Sequence, residues 1–196
     1  MALPKKEAEK VIVIGLSTGG PQALQVLLSK FPANIDAGIL IVQHMSKGFI
    51  DGLVEWLRFS SHLDIRVAKP GEILKNSAVL FAPDDYNIEI DEEGRILLSE
   101  DTTKRLLHVP SIDVMMKSAA ASYDKHTIGV IMTGMGSDGV DGINAIKSAG
   151  GVTIAQDQES SVIYGMNKIA VEKGYVDKII PLDKIPQEVL ALLKVM

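Results

Sequence analysis

Three short runs of almost wholly apolar residues each end in a polar or glycine-rich turn, and this repeat constrains the chain more than any other feature. VIVIG (residues 11–15) leads into Leu16-Ser17-Thr18-Gly19-Gly20-Pro21, GILIVQ (38–43) into His44-Met45, and TIGVIM (127–132) into Thr133-Gly134-Met135-Gly136-Ser137-Asp138-Gly139. Runs this short and this apolar belong to strands buried on both faces, as in a parallel sheet covered by helices on either side. Amphipathic stretches between them supply the helices. Ala23, Leu24, Leu27 and Leu28 recur at spacings of three and four, and Pro21 suits a first helical turn, where its missing N–H has no partner to lose.

The same reading extends along the chain. Further strands are predicted at residues 65–68, 78–82, 87–91, 96–99 and 152–155, with 87–91 and 96–99 flanking Glu92-Glu93-Gly94 as an antiparallel hairpin. Helices are predicted at 49–59, 112–121, 139–148, 161–173 and 186–195. The resulting α/β pattern is a mostly parallel, doubly wound sheet with helices on both faces. With 196 residues, 46% of them hydrophobic, one domain with one sizeable core is expected over residues 11–196, and residues 1–10 read as a linker remnant.

Composition removes several function classes. The chain has no cysteine, so disulfides, cysteine-bound zinc and thiol nucleophiles are excluded, and a cytoplasmic location is compatible. No apolar run approaches the roughly 18 residues that span a bilayer, and the charged start lacks a signal-peptide core, so no membrane insertion is expected. A net charge of −5 without a dense basic cluster argues against nucleic acid as a partner. Scattered histidines make a metal site unexpected.

In a doubly wound sheet, ligands bind beyond the carboxyl ends of the strands. Ser17, His44 and Asp138 each lie just past such an end. A serine hydroxyl needs a base to become a nucleophile, and a histidine serves best when a carboxylate fixes its tautomer. Ser17 also precedes a helix N-terminus, whose free amides favour a developing oxyanion. Each feature has a plainer reading. A glycine-rich strand-to-helix turn often cradles phosphate, and this one has neither the G-x-S-x-G spacing nor a Walker lysine. His44 alone can be structural, and Asp138 can simply cap the helix after it. A nucleotide- or phosphate-binding module and a catalytically silent docking domain therefore stand beside the hydrolase.

Five segments together resemble a known family. Gly15-Leu16-Ser17-Thr18-Gly19-Gly20-Pro21, Val42-Gln43-His44-Met45, His108-Val109-Pro110-Ser111-Ile112-Asp113, residues 132–139 and residues 153–161 are similar to the protein-glutamate methylesterases of bacterial chemotaxis. The resemblance implies a three-layer α/β domain with Ser17 as nucleophile, His44 as base and Asp138 as its orienter. Thr18 would lie beside them, and the Met135 amide would donate to an oxyanion. It implies hydrolysis of γ-glutamyl methyl esters on chemotaxis receptors, deamidation of receptor glutamines in many members, and no cofactor. Longer members carry an N-terminal receiver domain, a further expected partner. The chain departs from the family pattern at Leu16, at Ser46 and at Asn167-Lys168, none of them in the proposed triad.

The remaining polar residues have ordinary readings. His62 reads as a surface residue and His126 as structural, while His108 either borders the substrate groove or does not. Met115, Met116 and Met132 read as core packing. Asp84-Asp85 and Glu92-Glu93 read as solvated loop charges, and Asp157 and Glu159 as either loop or rim residues.

Overall fold

The computed structural model describes residues 6–102 and 106–196. Its elements run β1 (Val11–Leu16), α1 (Gly20–Ser29), β2 (Gly38–Gln43), α2 (Ile50–Arg58), β3 (Asp64–Val67), β4 (Ala78–Phe81), β5 (Asn87–Ile90) and β6 (Ile96–Ser99). There follow α3 (Ile112–Tyr123), β7 (Thr127–Ile131), α4 (Val140–Ser148), β8 (Val152–Gln156), α5 (Met166–Glu172), β9 (Lys178–Ile180) and α6 (Ile185–Leu193). Seven strands form one sheet in the order β3-β4-β2-β1-β7-β8-β9, with every neighbouring pair parallel.

Strand alternation divides the core into two layers. Ile12, Ile14 and Leu16 pack with Leu24 and Leu27 of α1, Leu53 and Leu57 of α2, and Val189 of α6. Val11 and Val13 point the other way, into Met115 and Met116 of α3, Ile143 and Ile146 of α4, and Ala170 of α5. Each fully buried Leu or Ile contributes about 1.5–3 kcal/mol, so both layers are needed to hold a sheet this apolar. The three methionines expected in the core are fully buried.

The β5–β6 hairpin pairs Asn87 with Ser99 and Ile90 with Ile96, as the flanking turn suggested. Its Ile88, Ile90 and Ile96 join the α3 layer, and its backbone is tied to that helix: Ile90 N–H donates to Ser118 Oγ (3.2 Å) and Ser122 Oγ–H to the Ile90 carbonyl (2.8 Å).

The structure adds one strand and shortens one expected helix. Strand β9 escapes a reading based on apolar runs because it is a three-residue edge strand, largely exposed. The helix expected over 161–173 begins only at Met166. The residues before it form a loop instead: Asp157 Oδ1 accepts from the Ser160 amide (3.0 Å), and Gln156 Nε2 donates to the Ser160 carbonyl (2.7 Å). Part of the segment read as a linker is anchored. Ala8 is fully buried, and Lys10 Nζ donates to the Leu193 carbonyl (2.7 Å) and to Asp36 (2.9 Å). Residues 1–5 lie outside the described residues.

The chain builds outward from β1 in both directions, to β2 on one side and β7 on the other. Leu16 pairs with Gln43 and Gly15 with Ile131, so these three strands end almost level. A crevice at such a topological switch point is where a doubly wound sheet binds its ligand.

Candidate active site

Ser17 leaves β1 with its amide donating to the Thr133 carbonyl (3.0 Å), which carries the β1–β7 ladder one step past the strands. Its carbonyl accepts from the Gly20 amide (2.9 Å) and from Gln43 Nε2 (2.9 Å). Gln43 also donates to the His44 carbonyl (2.8 Å), so one buried side chain ties the Ser17 and His44 backbones together. Gly20 is required there: a Cβ on it would stand 1.7 Å from Gln43 Oε1. On the other flank, a Cβ on Gly134 would come within 2.6 Å of the Ser17 Cβ. The Gly134–Met135 backbone thus lies against the serine. Thr133 Oγ1 closes the turn by donating to the Thr18 carbonyl (2.9 Å).

His44 follows β2, its amide bonded to the Leu16 carbonyl (2.9 Å). Its Nε2 lies 2.9 Å from Asp138 Oδ2, and the two side chains are only 10% and 14% exposed. Asp138 does not cap the helix that follows it, the plain reading of its position. It accepts instead from the first turn of α3: Ile112 N–H at Oδ2 (2.7 Å), with Asp113 N–H (3.0 Å) and Ser111 Oγ–H (2.9 Å) at Oδ1. Burial pushes the Asp138 carboxyl up. The hydrogen bonds from His44 and from the Asp113 and Ile112 amides outweigh it and hold the group below its ordinary value.

An ionised Asp138 accepting at Nε2 makes that nitrogen the protonated one and leaves Nδ1 with its lone pair. Nδ1 is buried and has no hydrogen-bond partner among the described residues. No hydrogen bond from Ser17 to His44 closes the set here. The His108 ring stacks on the His44 ring with centroids 4.3 Å apart. Burial, then the neighbouring His44, hold the His108 imidazole below its ordinary value against the pull of Asp138. Of its two open readings, His108 takes the one beside the site.

Asp85 is an exposed loop charge paired with Lys47, as expected, whereas Asp84 does more: its Oδ2 accepts from the Gly48 amide (2.6 Å) and ties the loop after His44. Asp157 serves its own loop and Glu159 is exposed, as is His62. The rim beside Ser17 is exposed and partly apolar, with Thr18, Val162 and Met135, the last 73% exposed. Gln43, Ser111 and Asp113 were missed as site residues. The available signals were Gln43, a lone amide ending an apolar strand, and the family-like segment His108–Asp113 that holds the other two.

A family model described as CheB methylesterase matches residues 12–189. The chain belongs to the CheB methylesterase family. A protein-glutamate methylesterase/protein-glutamine glutaminase of Pyrococcus abyssi is 42% identical over 95% of this chain and 51% of its own length. One from Pyrococcus horikoshii is 40% identical over 98% of this chain and 53% of its own length. The chain thus spans about half the length of these curated relatives. The crystal structure of the Thermotoga maritima CheB methylesterase catalytic domain matches with a TM-score of 0.89 and 38% identity, covering 93% of this chain and 98% of that one. Among the described residues, no helix is long and apolar enough to cross a membrane.

Proposed function

We propose that this CheB-family chain is a serine hydrolase that demethylates γ-glutamyl methyl esters on chemotaxis receptors, with Ser17 as nucleophile, His44 as base and Asp138 as its orienter. The observation that carries the reading is the His44 Nε2–Asp138 bond of 2.9 Å, made beside the strand end that presents Ser17 and leaving Nδ1 unpartnered. Nδ1 takes the Ser17 proton as Oγ attacks the ester carbonyl. Asp138 stabilises the imidazolium that forms.

The oxyanion develops next to the Thr18 and Met135 amides, at the start of α1 and beside Gly134. Donors aimed at that charge are worth about 2.7–4 kcal/mol each. Nδ1–H then protonates the departing methoxide, and methanol leaves. Water, deprotonated by the same nitrogen, attacks the acyl carbonyl; the acyl C–Oγ bond breaks, Nδ1–H returns its proton to Ser17 Oγ, and glutamate is freed. A glutamine side chain takes the same path with ammonia as leaving group, in keeping with the second activity in the relatives' names. Every step uses only groups of this chain and water. The partners are methyl-accepting receptors and, in a longer protein, a receiver domain.

The test is methanol release from a methyl-esterified receptor fragment. A folded Ser17→Ala variant should lose essentially all turnover, and undiminished release would sink the serine mechanism.

A further inference from the structure

Asp138 is only half of a reciprocal arrangement. Asp113, in the first turn of α3, turns its carboxylate toward α4. Its Oδ1 accepts from the Gly139 amide (3.0 Å) and from the Gly142 amide (2.6 Å). Asp138, just before α4, sends its carboxylate to the Ile112 and Asp113 amides of α3. Each helix N-terminus is therefore capped by an aspartate from the other, and each carboxylate sits where unpaired amides and the helix dipole favour negative charge.

We propose that Asp113 is a positioning residue that sets where Asp138, and through it His44, stands. The inference rests on the reading of His44 and Asp138 given above. The connection is short: Gly139, one of the two residues Asp113 holds, follows Asp138 directly in the chain. Asp138 in turn has no bond to α4's own amides to fix it. If Asp113 Oδ1 moves, the Gly139 and Gly142 amides lose their tie to α3, and the backbone of Asp138 shifts against its carboxylate's own bonds to α3, drawing Oδ2 from its place at His44 Nε2. A misplacement of about 1 Å at such a contact can cost 100-fold in rate.

Both of Asp113's bonds fall on one oxygen, so geometry and charge can be separated. Asp113→Asn keeps an acceptor at Oδ1 and drops the charge. Asp113→Glu keeps the charge and carries the oxygens one methylene further on. Two readouts are needed: kcat and KM for methanol release, and the downfield proton resonance of His44 Nε2–H, recorded without substrate.

Asp113→Asn is expected to hold kcat within about threefold and leave the resonance in place. Asp113→Glu is expected to lower kcat by about 10- to 100-fold at nearly unchanged KM and to shift or broaden the resonance. A wild-type kcat and resonance in Asp113→Glu overturn the proposal. So does an equal loss in both variants, which would make charge the working property. The resonance separates this inference from the functional reading: active Ser17→Ala defeats the hydrolase but leaves the effect of Asp113 on the His44–Asp138 bond to be read directly.

Discussion

Ser17 and Asp138 both stand in a connection from a central strand to the helix after it, yet different chemistry holds the two connections. Around Ser17 the fastening is neutral: the buried Gln43 amide bridges two carbonyls, and Thr133 Oγ1 and the Thr133 carbonyl take up the rest. Around Asp138 it is ionic, with two carboxylates crossed between two helix N-termini and a histidine on one of them. Neutral hydrogen bonds contribute about 0.5–1.5 kcal/mol net and ignore pH, while those to charged groups contribute about 1.5–3 kcal/mol. The Ser17 half is thus set by packing. The Asp138 half rests on the charge of Asp138 and on the geometry of Asp113, and it answers to protons.

This contrast is open to direct attack. The largest effect is expected from Asp138→Asn, which can set an N–H against His44 Nε2 and so force the proton onto Nδ1. Its kcat should fall about 10³- to 10⁴-fold with circular dichroism unchanged, and a loss below about tenfold would remove charge from the account of this half. Gln43→Leu probes the other half. It leaves the part-buried Ser17 and His44 carbonyls without their shared side-chain donor, so denaturant unfolding should show a loss of about 1–3 kcal/mol and turnover should fall with it. Equal stability in that variant would mean the neutral fastening is dispensable.

His108→Ala is a smaller test of what the stacked ring adds to the ionic half. An aromatic contact is worth about 0.5–1.5 kcal/mol, so kcat should drop about 2- to 10-fold, with His108→Phe restoring most of it.

The smallest effects are those of pH on stability. Asp138 is held below its ordinary value, so its contribution is present above the unfolded value of about 3.9 and is lost as pH falls through the depressed folded one. Asp113 has the opposite sign: burial, chiefly, raises it, so its ionised form weakens the fold and protonation relieves that cost as pH falls through the raised value. Thermal unfolding at neutral pH should therefore give Asp113→Asn a slightly higher midpoint than the parent and Asp138→Asn a lower one. The deficit of Gln43→Leu should stay flat across the same pH range.

Much of the fold was legible because it is written in local apolar pattern. Strands β1, β2 and β7 are buried on both faces and announce themselves, whereas β9 has three residues at an edge and no pattern to announce. The helix expected from residue 161 failed for a related reason. The Gln156, Asp157 and Ser160 side chains bond the backbone of that stretch into a loop, and periodicity does not register such competition.

The sequence by itself determined that Ser17, His44 and Asp138 would stand at the ends of buried strands, since strand length and turn chemistry are local properties. Only the tertiary structure decided what each of them meets. Strand order put β2, β1 and β7 side by side, and the close crossing of α3 and α4 gave each helix the other's aspartate. That packing also turned Nε2 of His44 to a carboxylate and laid His108 across its ring. These contacts join residues from about 25 to more than 90 positions apart, and hydrogen bonds are selected by distance and angle, which no spacing in a linear chain records.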